Sequence, residues 1–332
     1  MFDVITIGSA TRDIFLKSPL FRVVRDPKHL TQMGFPTGEA ECFALGAKIN
    51  VETMVRSTGG DAMNAAVTFA RQGFHTAAIV KIGDDEAGRE IVKDMKDERI
   101  TLLATPRKGE NDYATILLSG EGERTILVHR STPLAKKEVP FAKLKARWAY
   151  IAPGDMAHGL VRELFDTCKE QRIQIAFNPS GYLLDHAMAD VLDFVGRADV
   201  VIMNREEAAR MTDASYKNEK AIFKKLDKLV HGIAIVTDGA RGALVSDNKN
   251  VYRCGTFKER ERVDRTGAGD AFGSGFVAGF IRSNDICYSL RLAAANATSV
   301  VESIGAESGI LTEKEFRAPR WKFLNLDIDP LG

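Results

Sequence analysis

Residues Val263–Gly279, VDRTGAGDAFGSGFVAG, constrain the fold of this chain more than any other stretch. A Gly-rich turn, Gly267–Ala268–Gly269, separates the acidic residues Asp264 and Asp270, and the apolar run that follows reads as a helix. The first N–H groups of such a helix have no intrahelical partner, and the macrodipole adds to their pull on an anion. Within the run stand Gly273, Gly275 and Gly279, each costing about 1 kcal/mol relative to Ala in a helix interior. Close approach of another backbone or of a ligand is the expected cause. Spacing alone leaves a tightly packed Gly helix and a phosphate site as equal readings.

DRTGAGDAFGSGF resembles the C-terminal signature of the ribokinase-like (PfkB) carbohydrate kinases, D-x-T-G-A-G-D followed by a small-residue helix. The resemblance implies that the amides of Gly267, Ala268 and Gly269 form an anion hole for a transferring phosphoryl group. It implies equally that Asp270 is the catalytic base, and the helix dipole is expected to keep it ionised. Arg265 fills a position where the family often has a small residue and is expected to face away from the transferred group.

A chain of 332 residues buries a large core, and one large domain with a smaller appendage is the natural expectation. The formal net charge of +1 comes with no basic block, which argues against nucleic acid or an anionic membrane as partner. The start, MFDVITIGSATRD, lacks signal-peptide character and no apolar run reaches membrane-spanning length, so a cytoplasmic protein is expected. Cys42, Cys168, Cys254 and Cys287 lie far apart with no C-x-x-C pair, as reduced thiols would. There is no G-x-x-x-x-G-K-[ST] loop and no G-x-G-x-x-G fingerprint.

In chain order, Phe2–Gly8 reads as a buried strand, and Ser9–Asp13 as a polar loop at its carboxyl end, where ligands bind in open α/β sheets. Asp13 is a loop carboxylate or helix cap on local grounds; G-S-x-x-x-D resembles the family segment whose Asp binds sugar hydroxyls. Ile14–Ser57 is rich in Pro, Gly and charge and too long for a plain connector, with Glu41–Leu45 and Lys48–Val55 as candidate strands. Thr58–Gly59–Gly60 opens a helix ending near Gln72–Gly73. As the family's G-G-x-x-x-N, this segment implies that Gly59 and Gly60 admit substrate to the backbone and that Asn64 bonds a hydroxyl. Asp61 departs from the residues usual there, and its carboxylate argues against an anionic substrate group on that side.

Thr76–Ile82 reads as a strand and Gly83–Gly88 starts a helix, while Tyr113–Ser119 and Arg124–Arg130 form a hairpin around Gly120–Glu123. From Ala146, strands alternate with helices, including a helix over Leu184–Val195, which implies βαβ units and a parallel sheet. Asn204 and Glu207 have capping-box spacing; the family's N-x-x-E at this place organises Mg²⁺ and phosphate through water. Thr237, Gly239 and Gly242, an ordinary hairpin turn by themselves, resemble the family's nucleotide-binding T-x-G-x-x-G. Asn296, on an Ala-rich helix, is either an adenosine contact or a packing residue. The tail Glu313–Gly332, with Trp321 and Phe323, is expected to be a surface extension packed on the core.

The resemblance covers roughly residues 1–310 and implies a ribokinase-like α/β fold, a central mostly parallel sheet flanked by helices with a small β-sheet lid. The core would comprise residues 1–13, 58–110 and 131–332, and the lid 14–57 and 111–130. The implied function is ATP- and Mg²⁺-dependent phosphorylation of a sugar or sugar-acid hydroxyl, with Arg130 available to an acidic sugar. GERTILVHRS is faintly similar to 2-keto-3-deoxygluconate kinases. A nucleoside kinase of the same fold and a non-catalytic sugar-binding regulator are the alternatives. A monovalent cation beside Gly305–Ala306 and a homodimer through the lid stay open.

Overall fold

The structure, a computed structural model, describes residues 1–35, 38–119 and 124–330. The chain begins with β1 (Phe2–Gly8), β2 (Thr11–Ser18), β3 (Arg22–Arg25), the short helix α1 (Pro27–Gln32), β4 (Glu39–Cys42) and β5 (Thr53–Gly59). It continues through α2 (Asp61–Arg71), β6 (Thr76–Val80), α3 (Glu86–Asp97), β7 (Thr101–Leu102), β8 (Asp112–Ser119) and β9 (Arg124–His129). Alternation follows, with β10 (Ala146–Ala152), α4 (His158–Glu170), β11 (Gln174–Phe177), α5 (Gly181–His186), α6 (Met188–Arg197), β12 (Val200–Asn204), α7 (Arg205–Met211) and α8 (Glu219–Leu229). The last elements are β13 (Ile233–Thr237), β14 (Ala243–Ser246), β15 (Asn250–Cys254), α9 (Ala268–Ser283), α10 (Ile286–Val301), α11 (Glu313–Phe316) and β16 (Leu326–Pro330).

The large sheet runs β16-β15-β14-β13-β12-β11-β10-β1-β6-β7. From β7 to β13 all neighbours are parallel, and β14, β15 and β16 close that edge antiparallel. A sheet covered on both faces needs strands that are apolar throughout, and β1 shows it. Ile5 and Ile7 enter a core with Leu164, Phe165 and Phe194, whereas Val4 enters one with Trp148, Tyr150 and Phe276. Among the described residues no helix is long and apolar enough to cross a membrane.

A second, smaller sheet, β5-β2-β8-β9, stands at the carboxyl ends of the central strands. It begins at Thr11 and ends at Gly59, so it takes in residues on both sides of the expected 14–57 segment, and Asp13 lies on a strand rather than in a loop. The strand expected over Glu41–Leu45 is β4, shifted back, and the one over Lys48–Val55 is β5, shifted forward. The β8–β9 hairpin pairs as expected; its turn, Gly120–Glu123, falls outside the described residues. Both roots of the small sheet are fixed. Thr58 donates to Asp94 and Arg12 pairs with Glu90 at 2.9 Å, while Lys81 and Asp112 form a buried ion pair at 2.7 Å.

Two other expectations change. The helix over Leu184–Val195 breaks at Ala187, whose φ of −147° is not helical, into α5 and α6. The tail packs on the core as expected, with Trp321 buried against Phe257, but it is also part of the sheet, since β16 hydrogen-bonds to β15 as the edge strand.

Candidate active site

The carboxyl ends of β1, β10, β11 and β12, the small sheet and the start of α9 enclose a cavity of about 580 Å³. Asp13, Gly60, Asp61, Asn64, Arg124, Arg130, Glu207 and Asp270 all line it. A second cavity, about 370 Å³, lies between the turn after β13 and α10, lined by Thr237, Gly239, Gly242, Ala268, Phe272, Ala294 and Ala297. Asn204, Thr237 and Gly269 belong to both, so the two cavities meet at the start of α9.

That meeting point is built by the turn before the helix. Asp264 is buried and accepts from the amide and hydroxyl of Thr266 through one oxygen and from the Gly305 amide through the other. Gly267 caps the helix at φ +76°, and a Cβ there would lie 2.4 Å from Ala306 Cβ, so only Gly fits. The Ala268 amide donates to the Arg265 carbonyl at 3.3 Å, which leaves the amides of Gly267, Gly269 and Asp270 as the helix-start donors open to an anion. The glycines farther along α9 serve packing. A Cβ on Gly273 would meet Ile202 and Tyr150, one on Gly275 the Ala293 backbone, and one on Gly279 the Ser289 backbone.

Asp270 is held by Asn64, whose Nδ2 donates to Oδ2 at 2.8 Å. Burial first, and then Asp61, push the Asp270 carboxyl up to about 8. The expectation that the helix dipole keeps it ionised is thereby corrected, because loss of solvation next to a second carboxylate outweighs the dipole. Burial also raises Asp61, against the pull of Arg130, and lifts Asp13 to about 6. Thr11 Oγ1 donates to Asp13 Oδ1 at 2.7 Å.

Gly60 borders the cavity at φ +97°, pressed on the Ser9 carbonyl, but Gly59 is not among the residues that line it. A Cβ on Gly59 would fall 2.1 Å from Asp13 Oδ2. Gly59 therefore makes room for Asp13 rather than for substrate, a correction to the sequence reading.

Asn204 and Glu207 form both bonds of a capping box, each 2.9 Å, at the start of α7, and both border the first cavity. Burial raises the Glu207 carboxyl. The described residues contain no cluster of three or more His, Cys, Asp or Glu able to hold a metal. This donor set fits a magnesium carried on phosphates and reached through water rather than an all-protein cage. Next to Thr237, Arg241 and then burial and Arg205 govern Asp238, which the two arginines and Tyr216 hold down at about 2. These bonds brace the Gly239–Gly242 turn.

Asn296 does not reach the second cavity. It is fully buried, donates to Thr68 and Ala271 and accepts from the Leu311 amide, so packing is its role and the adenosine reading is corrected. Arg265, expected to face away, borders the second cavity. Sequence reasoning missed Arg124, at the start of β9. Its Nη1 donates to Thr266 Oγ1 at 3.0 Å and lies 3.8 Å from Asp264, a contact across 142 positions that no local pattern signals.

The family model for pfkB family carbohydrate kinases matches residues 37–313. The chain is 27% identical over 256 residues to fructosamine kinase FrlD of Bacillus subtilis, covering 75% of this chain and 85% of that protein. Adenosine kinase from Sinorhizobium meliloti superposes with a TM-score of 0.78 at 20% identity, covering 95% of this chain and 98% of that one. Arabidopsis thaliana ribokinase complexed with ribose and ATP superposes with a TM-score of 0.74 at 17% identity, covering 97% and 99%.

Proposed function

The chain belongs to the pfkB family of carbohydrate kinases, and from that premise we propose that it phosphorylates a hydroxyl of a sugar or sugar acid with ATP. The observation that carries this reading is the junction of the two cavities at Asn204, Thr237 and Gly269, with Asp270 on the acceptor side. An acceptor hydroxyl in the first cavity, bonded by Asp13 and Asn64, then faces a terminal phosphate entering from the second. The Asp270 carboxylate takes the hydroxyl proton as the acceptor oxygen bonds to phosphorus and the bond to ADP breaks. The Gly269 and Asp270 amides hold the charge on the phosphoryl oxygens, and in a loose transition state such positioning does most of the work. Magnesium, when bound, neutralises phosphate charge, and Asn204 and Glu207 are the residues that would orient its waters.

Arg130, exposed at the end of β9 and bordering the cavity, is the group available to a sugar carboxylate. A second reading, phosphorylation of a nucleoside, draws on the small sheet. Asp13 pairs in register with Ala114, which pairs with Val128, and Ile116 with Ile126. All four apolar residues border the cavity beside Asp13, as a slot for a base would. ADP release measured on D-ribose, D-fructose, D-gluconate, adenosine and inosine tests both. Turnover of a sugar or sugar acid supports the first reading and turnover of a nucleoside alone supports the second. Binding without turnover of any would point to a non-catalytic regulator.

A further inference from the structure

Tyr150 lies on β10 against Gly273 of α9, its ring wholly buried and edge-on to Phe69. Its hydroxyl is buried as well, and no described donor or acceptor meets it in hydrogen-bond geometry. Asn178 is a polar neighbour that acts on the phenol, but falls short of such a bond. Buried tyrosine hydroxyls ordinarily have partners, and an unpartnered one is destabilising relative to phenylalanine. The surroundings nevertheless keep space for it: a Cβ on Gly273, one turn along α9 from Asp270, would lie 3.1 Å from the hydroxyl oxygen.

Asp270 and Asp61 are the charges that bear on this phenol. Asn64 repeats the pattern from the other side. Its Nδ2 holds Asp270, while its Oδ1 is buried without a partner. Two unpartnered buried polar atoms, on β10 and α2, thus lie in the surroundings of one carboxylate. The charges that bear most on Asp270 are carboxylates, namely Asp61 from α2, Asp13 from β2 and Glu207 from α7. Asn64 and Tyr150 bring neutral donors to these surroundings.

We infer that Tyr150 is a positioning residue for Asp270, its hydroxyl donating to the carboxylate through one water shared with Asn64 Oδ1. Asn64 and Tyr150 together fix the plane of the carboxyl group and aim its free oxygen at the acceptor hydroxyl. Tyr150 keeps its own proton throughout, since burial and the neighbouring carboxylates hold its ionisation far above the ordinary range. The inference rests on the reading of Asp270 as the base.

Tyr150→Phe separates this from a packing role, because the substitution retains the ring. With the acceptor of the above panel that gives the fastest ADP release, kcat should fall by about 10-fold, the scale of one hydrogen bond to a charged group. KM for ATP and for that acceptor should stay within about two-fold, since neither contact is removed. The thermal midpoint should hold or rise. In the Asp270→Asn background the Phe substitution should have no further effect on single-turnover rate, because paired residues are non-additive. Wild-type kcat in Tyr150→Phe, or the same fold-loss in both backgrounds, would overturn the inference. Normalising rates to the folded fraction keeps the comparison valid if the variant loses stability. Near-normal turnover by Asp270→Asn alone would refute instead the assignment of the base.

Discussion

Asn64 Nδ2 donates to Asp270 Oδ2 at 2.8 Å, joining residues 206 positions apart. The G-G-x-x-x-N segment and the D-x-T-G-A-G-D segment are therefore joined, with the asparagine holding the carboxylate as well as bordering the first cavity. Asn64→Ala should lower kcat by about 10-fold or more, as loss of a hydrogen bond to a charged group does, with a smaller rise in acceptor KM. Steady-state kinetics checks this. A change confined to KM would restrict Asn64 to acceptor binding.

Acidity of the site predicts a pH dependence with a definite sign. Asp270 goes from the ordinary 3.8 up to about 8 in the fold, so the folded protein binds a proton that the unfolded chain releases between those values. That stability is fully present below the ordinary carboxylate range and is lost as pH rises through about 8. The thermal midpoint of the ligand-free protein should fall over that window relative to Asp270→Asn, while kcat/KM rises. The apparent pKa belongs to the coupled Asp61–Asp270 pair. A wild-type midpoint that does not fall relative to the Asn variant would contradict the account.

The observed capping bond of Glu207 and its proposed magnesium role can be separated by one substitution. Glutamine also completes a capping box, so Glu207→Gln should keep the thermal midpoint yet raise the Mg²⁺ needed for half-maximal activity by about 10-fold, as loss of an outer-shell partner does. Asn204→Ala removes the cap itself, worth about 1 kcal/mol. A lowered midpoint with unchanged Mg²⁺ dependence in Glu207→Gln would leave only the cap.

Arg124 links the small sheet to the turn ahead of α9 through Thr266. If that sheet is a lid, amide exchange in Thr53–Gly59, Asp112–Ser119 and Arg124–His129 should slow when the preferred acceptor saturates the protein. Arg124→Ala should weaken the slowing. Exchange unchanged by acceptor in all three strands would show that the sheet does not close.

The sequence carried the elements whose chemistry is local. The turn at Gly267–Gly269, the cap at Asn204 and the alternation after Ala146 each depend on neighbours within a few positions, and each was legible. Asp13 was recognised but placed in a loop, because the strand that holds it is specified by pairing with Thr53–Gly59 and Asp112–Ser119, far along the chain. The two readings of Asn296 stay open in the sequence for the same reason: the partners that make it a packing residue are Thr68, Ala271 and Leu311. Gly59 looked like a substrate approach until the Asp13 carboxylate was found beside it. The raised acidity constant of Asp270 likewise comes from burial and from Asp61, neither of which a helix-dipole argument includes.

Single-turnover phosphorylation by Asp270→Asn tests the central claim most directly. The substitution preserves shape and removes the base, so the rate with the preferred acceptor should fall by roughly 10²–10⁴, as for other general bases. ATP affinity should hold below about pH 8 and improve above it, where the substitution removes a negative charge beside the phosphates. A rate within a few-fold of wild type would contradict the account and reduce the start of α9 to a tightly packed glycine turn.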